Sequence, residues 1–138
     1  MTKEQYLKLK DELKALAIQI KGTKSTHKSN QREFSKIDCA YNPNRYYWMT
    51  DREKKALESI RIQYEQEWAR LYSIQYNSIN ECANLRREYR IKHIIYCLAR
   101  GRTIQQIEPK IKDIDVRNDV YTAATILAKE YDMNVKLY

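Results

Sequence analysis

The chain has 138 residues, 43% of them hydrophobic, with only two glycines and two prolines. That is apolar enough for a buried core and one domain, and too poor in turn formers for a β-rich fold. The 26 basic against 18 acidic side chains give a net charge of +8, which favours a polyanionic partner such as nucleic acid.

From the N-terminus, Thr2 and Gln5 have the spacing of a capping box. Tyr6, Leu9, Leu13, Leu16, Ala17 and Ile20 follow at steps of mostly three or four, which predicts an amphipathic helix over residues 3–21 closed by Gly22. Residues 21–36 are polar, basic and rich in Ser and Thr, and read as a linker, a mobile loop or a weak helix. Asn42-Pro43-Asn44 predicts a turn, followed by Tyr46, Tyr47 and Trp48. With Arg45 these rings are either a stacking platform or a cover for the core.

Thr50 and Glu53 form a second capping box, and neither Gly nor Pro follows until Gly101. A break is expected near Asn77–Asn84, where Asn, Ser and Cys lower helix propensity. The reading is therefore a long helix over 51–83 and another over 85–99. Tyr64, Trp68, Tyr72 and Tyr76 step by four along the first, as a helix-pairing seam would or as bases could use for stacking. Thr103 caps a short helix that stops at Pro109. Residues 110–114 are a link, and Asp115 opens a last helix with Val116, Val120, Ala123, Leu127 and Tyr131 on one stripe. The tail MNVKLY alternates like a strand. The whole is an all-α chain: residues 1–49 hold the N-terminal helix, basic loop and aromatic turn, and 50–138 hold the helical core with a compact C-terminal trihelical unit.

Charge is zoned. Residues 1–50 carry ten basic and five acidic side chains, and residues 86–102 carry six and one. On a wheel of 100° per residue, Arg86, Arg90, His93, Cys97 and Arg100 share a stripe without a carboxylate. Isoleucines and Leu98 occupy one of the other two faces, and Leu85, Tyr89, Tyr96 and Ala99 the other. The basic stripe is thus expected to be what remains in water. Arginine adds bidentate phosphate geometry. Arg86, Arg90, His93, Arg100 and Arg102 are the first candidates for binding a nucleic acid or acidic partner. Lys21, Lys24, Lys28 and Arg32 are a second, flexible contact.

The stretch IIYCLARGRTIQQIE followed by VRNDVYTAATILAKEY resembles a helix-turn-helix of the LuxR or sigma-factor C-terminal type. Leu98, Gly101, Thr103 and Ile107 match its pattern. The resemblance implies a recognition helix beginning at Val116, Arg117, Asn118 and Val120. A trihelical packing unit without groove contact is the other reading of the same residues. The whole chain also resembles the short, basic, Tyr- and Lys-rich proteins of bacteriophages and mobile elements, some of which, the anti-CRISPR proteins, block host nucleases.

Catalysis is not expected. His93 and Cys97 can touch, but no third group or oxyanion site accompanies them. They also lack the further ligands zinc requires. Glu108-Pro109-Lys110 spells half of a nuclease signature on a helix end rather than a strand. No cofactor or metal is expected. Three widely spaced cysteines are not a disulfide framework, so the expectation is free thiols in a reducing cytoplasm. No signal peptide or run of about 20 apolar residues is seen. The functional expectation is a non-enzymatic protein that binds nucleic acid or a nucleoprotein. The alternatives are a protein inhibitor of a host nuclease or other defence protein, and a helical adaptor that homodimerises through residues 51–83.

Overall fold

The computed structural model describes residues 1–110 and 116–138. The all-α expectation holds, and among the described residues there is no strand. The helices are α1 (Lys3–Ala40), α2 (Pro43–Tyr47), α3 (Asp51–Ala56), α4 (Glu58–Ala99), α5 (Ile104–Ile107) and α6 (Val116–Glu130), with a 3-10 turn at Glu108–Lys110. The expected link at 110–114 and the start at Asp115 lie, Lys110 apart, outside the described residues.

Both long helices outrun their expected ends. Gly22 does not close α1, which continues for 38 residues. Glycine costs a helix only about 1 kcal/mol relative to alanine. Past it, Thr23, His27, Asn30, Phe34 and Ile37 keep the four-three spacing of a packed stripe, each half-buried, and Tyr41 is buried. The Ser/Thr-rich stretch is therefore helix rather than loop. Likewise α4 runs unbroken for 42 residues through Asn77–Asn84. Ser78 and Cys82 are buried there, and that burial outweighs propensities of a few tenths of a kcal/mol each. The break falls instead at Leu57, whose φ of −101° and ψ of 6° leave the helix. Nothing in the local composition announces it.

The chain divides into two compact units. The first combines Met1–Ile20 with Asn84–Tyr138, and the second is Lys21–Ala83. Helices α1 and α4 each contribute to both units.

The first unit has an aliphatic core of Leu9, Ile94, Leu98, Val120, Ala123 and Leu127, each at most 2% exposed. Its helix ends are closed locally. The Thr2–Gln5 box is formed, and Tyr6 donates its hydroxyl hydrogen to the Ala99 carbonyl at 2.8 Å. Gly101, at φ 85°, ends α4 in a Schellman motif: Arg102 N–H bonds Cys97 C=O, and Gly101 N–H bonds Leu98 C=O. The tail alternates as expected but pairs with no strand. Met133, Val135 and Leu137 pack on the core, and the Leu137 carbonyl accepts from Ile104 N–H at 2.7 Å.

The second unit is organised around Asp38 and Phe34. Phe34 lies 5.6 Å from the Trp68 ring and 6.1 Å from Tyr72. Asp38 accepts from Trp68 Nε1 at 2.9 Å and from Asn42 Nδ2 at 2.7 Å. Asn42 also caps α2, accepting from Arg45 N–H at 3.1 Å, with Pro43 in the first turn. The Thr50–Glu53 capping box is formed.

Candidate nucleic-acid interface

The Arg-rich stripe of α4 is only partly in water. Arg86 and Arg100 are exposed. Arg90 is turned inward: its Nε donates to Asp119, a carboxylate 2% exposed, and Arg87 Nε lies 3.7 Å from the same group. A buried carboxylate needs such a partner, so Arg90 serves the fold and is not a free phosphate ligand. Cys97, on the same stripe, is buried. His93 is half-buried, stacked 6.2 Å from Tyr89, with Nε2 3.7 Å from Cys97 Sγ. Arg102 Nη1 lies 4.0 Å from that sulfur. Arg100 sits over the Tyr96 ring at 5.4 Å. The stripe expected to be wet is thus divided between solvent and structure.

The helix-turn-helix positions Leu98, Ile107 and Val120 are buried in one core. In the first turn of α6, however, Asp119 and Val120 point into that core. Among the side chains described there, Arg117 and Asn118 are exposed. Arg117 has Glu108 at 3.8 Å, and the Asn118 carbonyl accepts from the Thr122 hydroxyl. That turn offers a phosphate little uncompensated positive charge.

Lys21, Lys24, Lys28 and Arg32 behave differently. The segment expected to be a flexible contact is helical: all four lie within α1, and all are exposed. At 100° per residue they occupy one stripe about 80° wide, on the side of α1 opposite its packed positions. Their rise of 1.5 Å per residue spaces them about 4.5–6 Å apart along the axis. No carboxylate shares the stripe, and none of the four has an ion-pair partner among the described residues.

The aromatic turn splits. Tyr46 folds inward, 6.0 Å from the buried Tyr41 ring, and donates to Glu58 at 3.1 Å. Burial and then the Glu58 hydrogen bond hold its phenol above the ordinary range. Arg61 clamps Glu58 and reaches Glu65 at 2.8 Å, which keeps the Glu58 carboxyl below its usual range. Arg45 donates to the Asp38 carbonyl. Tyr47 and Trp48 instead stand 70% and 82% exposed, edge to face at 5.2 Å, with Lys54 5.9 Å from Tyr47.

Of the four-step aromatics, Tyr64 and Trp68 are half-buried while Tyr72 and Tyr76 are the more exposed pair. Four residues turn the helix by 400°, so each step drifts 40° and the stripe walks off the seam. The packed positions are Tyr64, Trp68, Leu71, Gln75, Ser78 and Cys82.

The first unit also holds a groove of about 520 Å³ floored by Leu9, Ile91 and Ile95. Its Lys92 already pairs with Glu12 at 2.9 Å, so the groove presents mixed charge. The three thiols are free, and no group of three metal-binding side chains occurs among the described residues. No helix among them is long and apolar enough to cross a membrane. No family model matches the chain, and no curated protein or solved structure is significantly similar to it.

Proposed function

We propose that this is a non-enzymatic binding protein that engages nucleic acid, free or within a nucleoprotein, through the α1 stripe Lys21, Lys24, Lys28 and Arg32. The observation that carries the reading is that these four cations are exposed, aligned and uncompensated. A line of cations spaced by helical turns suits a phosphodiester backbone, whose charges repeat at a comparable interval. Binding of this kind positions a backbone without reading bases. It releases counterions and so weakens steeply with salt. Tyr47 and Trp48, with Lys54 beside them, would add sequence-tolerant stacking for single strands. Arg86 and Arg100 remain as contacts of the first unit, while Arg90 and His93 support the fold around them.

Fluorescence anisotropy of labelled single-stranded RNA, single-stranded DNA and duplex DNA, at about 50 and 200 mM salt, tests this. The expected result is binding that falls by at least about an order of magnitude between the two salts. Absence of binding at the lower salt would overturn it.

A second reading is favoured by Trp48 alone. A tryptophan 82% exposed beside an exposed tyrosine resembles an interface anchor more than an ordinary surface. In that reading the chain is an inhibitor or adaptor that inserts the turn into a host protein. Retention of one host protein by the wild-type chain, after nuclease treatment, and its loss on Trp48→Ala would favour it.

A further inference from the structure

We propose that α4 carries a docking surface for a second copy of this chain, joined antiparallel through a second heptad stripe. This does not rest on the nucleic-acid reading. The stripe consists of Ile62, Glu65, Ala69, Tyr72, Tyr76, Ile79 and Ala83, at alternating steps of three and four over three heptads. It lies about 100° around the helix from the packed positions that start at Tyr64. Ile62 is 69% exposed, Tyr76 57%, Tyr72 49% and Ile79 46%, and both alanines are exposed. Single exposed apolar residues need no explanation, but a run held at heptad spacing is the signature of a helix-pairing seam. Two of its rings are already fixed. Tyr72 stacks on Trp68 at 5.0 Å and 11°, and Tyr76 on Tyr72 at 6.4 Å and 16°, so little side-chain freedom is lost on docking.

The occupant follows from the order of residues. Taking Ile62, Ala69 and Tyr76 as a positions makes Glu65, Tyr72 and Ile79 the d positions. In an antiparallel pair the a positions of one helix lie level with the d positions of the other. Ile62 then meets the second copy's Ile79, Ala69 meets its Tyr72, and Tyr76 meets its Glu65. These layers are apolar on apolar, small against large, and phenol against carboxylate. Two-fold symmetry makes each of them twice. A parallel, in-register pair would instead set Glu65 against Glu65 and leave Ala69 facing Ala69 across a gap. A stripe of about 33 Å by one helix diameter covers on the order of 350 Å² per copy, below the size of stable interfaces and in the range of weak, transient ones. The dimer is therefore expected to depend on concentration. On the wheel, the cationic stripe of α1 lies opposite that helix's own packed positions, so pairing does not consume it.

Sedimentation equilibrium of the full chain tests the proposal. The wild type should move from its 16.7 kDa monomer towards twice that mass as concentration rises. Ile62→Glu/Ile79→Glu sets like charges level with each other and should weaken association at least about tenfold. Both positions are exposed, so circular dichroism should be unchanged. Ile62→Glu/Ile79→Lys places opposite charges level only in the antiparallel register, and should restore the dimer. A wild type still monomeric at about 0.5 mM would overturn the proposal, because that leaves an affinity below any specific use. A dimer indifferent to the Glu/Glu change, or one that the Glu/Lys change fails to restore, would overturn the assigned surface and register.

Discussion

The two units of this chain use the same four-three spacing to different ends. In the first, the spaced positions are Ile94, Leu98, Val120 and Leu127, essentially dry, and nearby charges are drawn into the structure, as Arg90 is by Asp119. In the second, the stripe turns polar at Thr23, His27, Asn30, Gln75 and Ser78, and the cations of α1 are left in water. A basic residue is available to a partner only where no carboxylate is buried beneath it. Counting charge along the sequence favoured the Arg86–Arg102 zone. Accounting for the partners favours Lys21–Arg32.

The largest expected effect lies in the first unit. Asp119→Ala removes the buried carboxylate that Arg90 and Arg87 contact, and should cost about 3 kcal/mol in urea unfolding. Leu98→Ala should cost about as much by opening a cavity. If either change is silent, the first unit is not the dry, charge-matched body described. In the second unit the effects are smaller and of opposite sign. His27 Nδ1 is buried without a hydrogen-bond partner, so His27→Leu should stabilise by about 1 kcal/mol. Gly22→Ala should add about 0.5–1 kcal/mol, because the site is helical and a methyl group there meets nothing within 4 Å. Loss of stability at Gly22→Ala would mean that α1 is not a continuous helix. The smallest effect is a pH dependence. Hydrogen bonds from Arg61 and Arg70 hold the Glu58 and Glu67 carboxyls below their ordinary range. Their contribution is present at neutral pH and lost as pH falls through the acid range. Both are surface groups, so Glu58→Gln/Glu67→Gln should only slightly flatten the acid limb of an unfolding profile.

How much of this was legible in the sequence differs by kind. The caps at Thr2 and Thr50 were readable because each is a local hydrogen-bond pattern with fixed spacing. The continuity of α1 and α4 was not. Gly22 and the Asn77–Asn84 stretch lower propensity, but propensity is weak beside the packing of stripes far apart in sequence. The inward turn of Arg90 was hidden for the same reason, since its partner Asp119 stands 29 residues away. One signal was available: Asp119 sits next to Val120 on the core-facing side of its helix. The aromatic four-step misled through geometry alone, since that spacing drifts from any straight seam. The strand-like tail shows that alternation marks a half-buried extended segment, whether or not a sheet receives it.

The α1 interface is tested by the slope of binding affinity against salt, for single-stranded oligonucleotides and the full chain. Lys24→Gln/Lys28→Gln should lower that slope by about 1–2 relative to wild type, with helicity unchanged, while Arg90→Gln should act through stability instead. An unaltered slope in the lysine variant would contradict the assignment of the interface to α1.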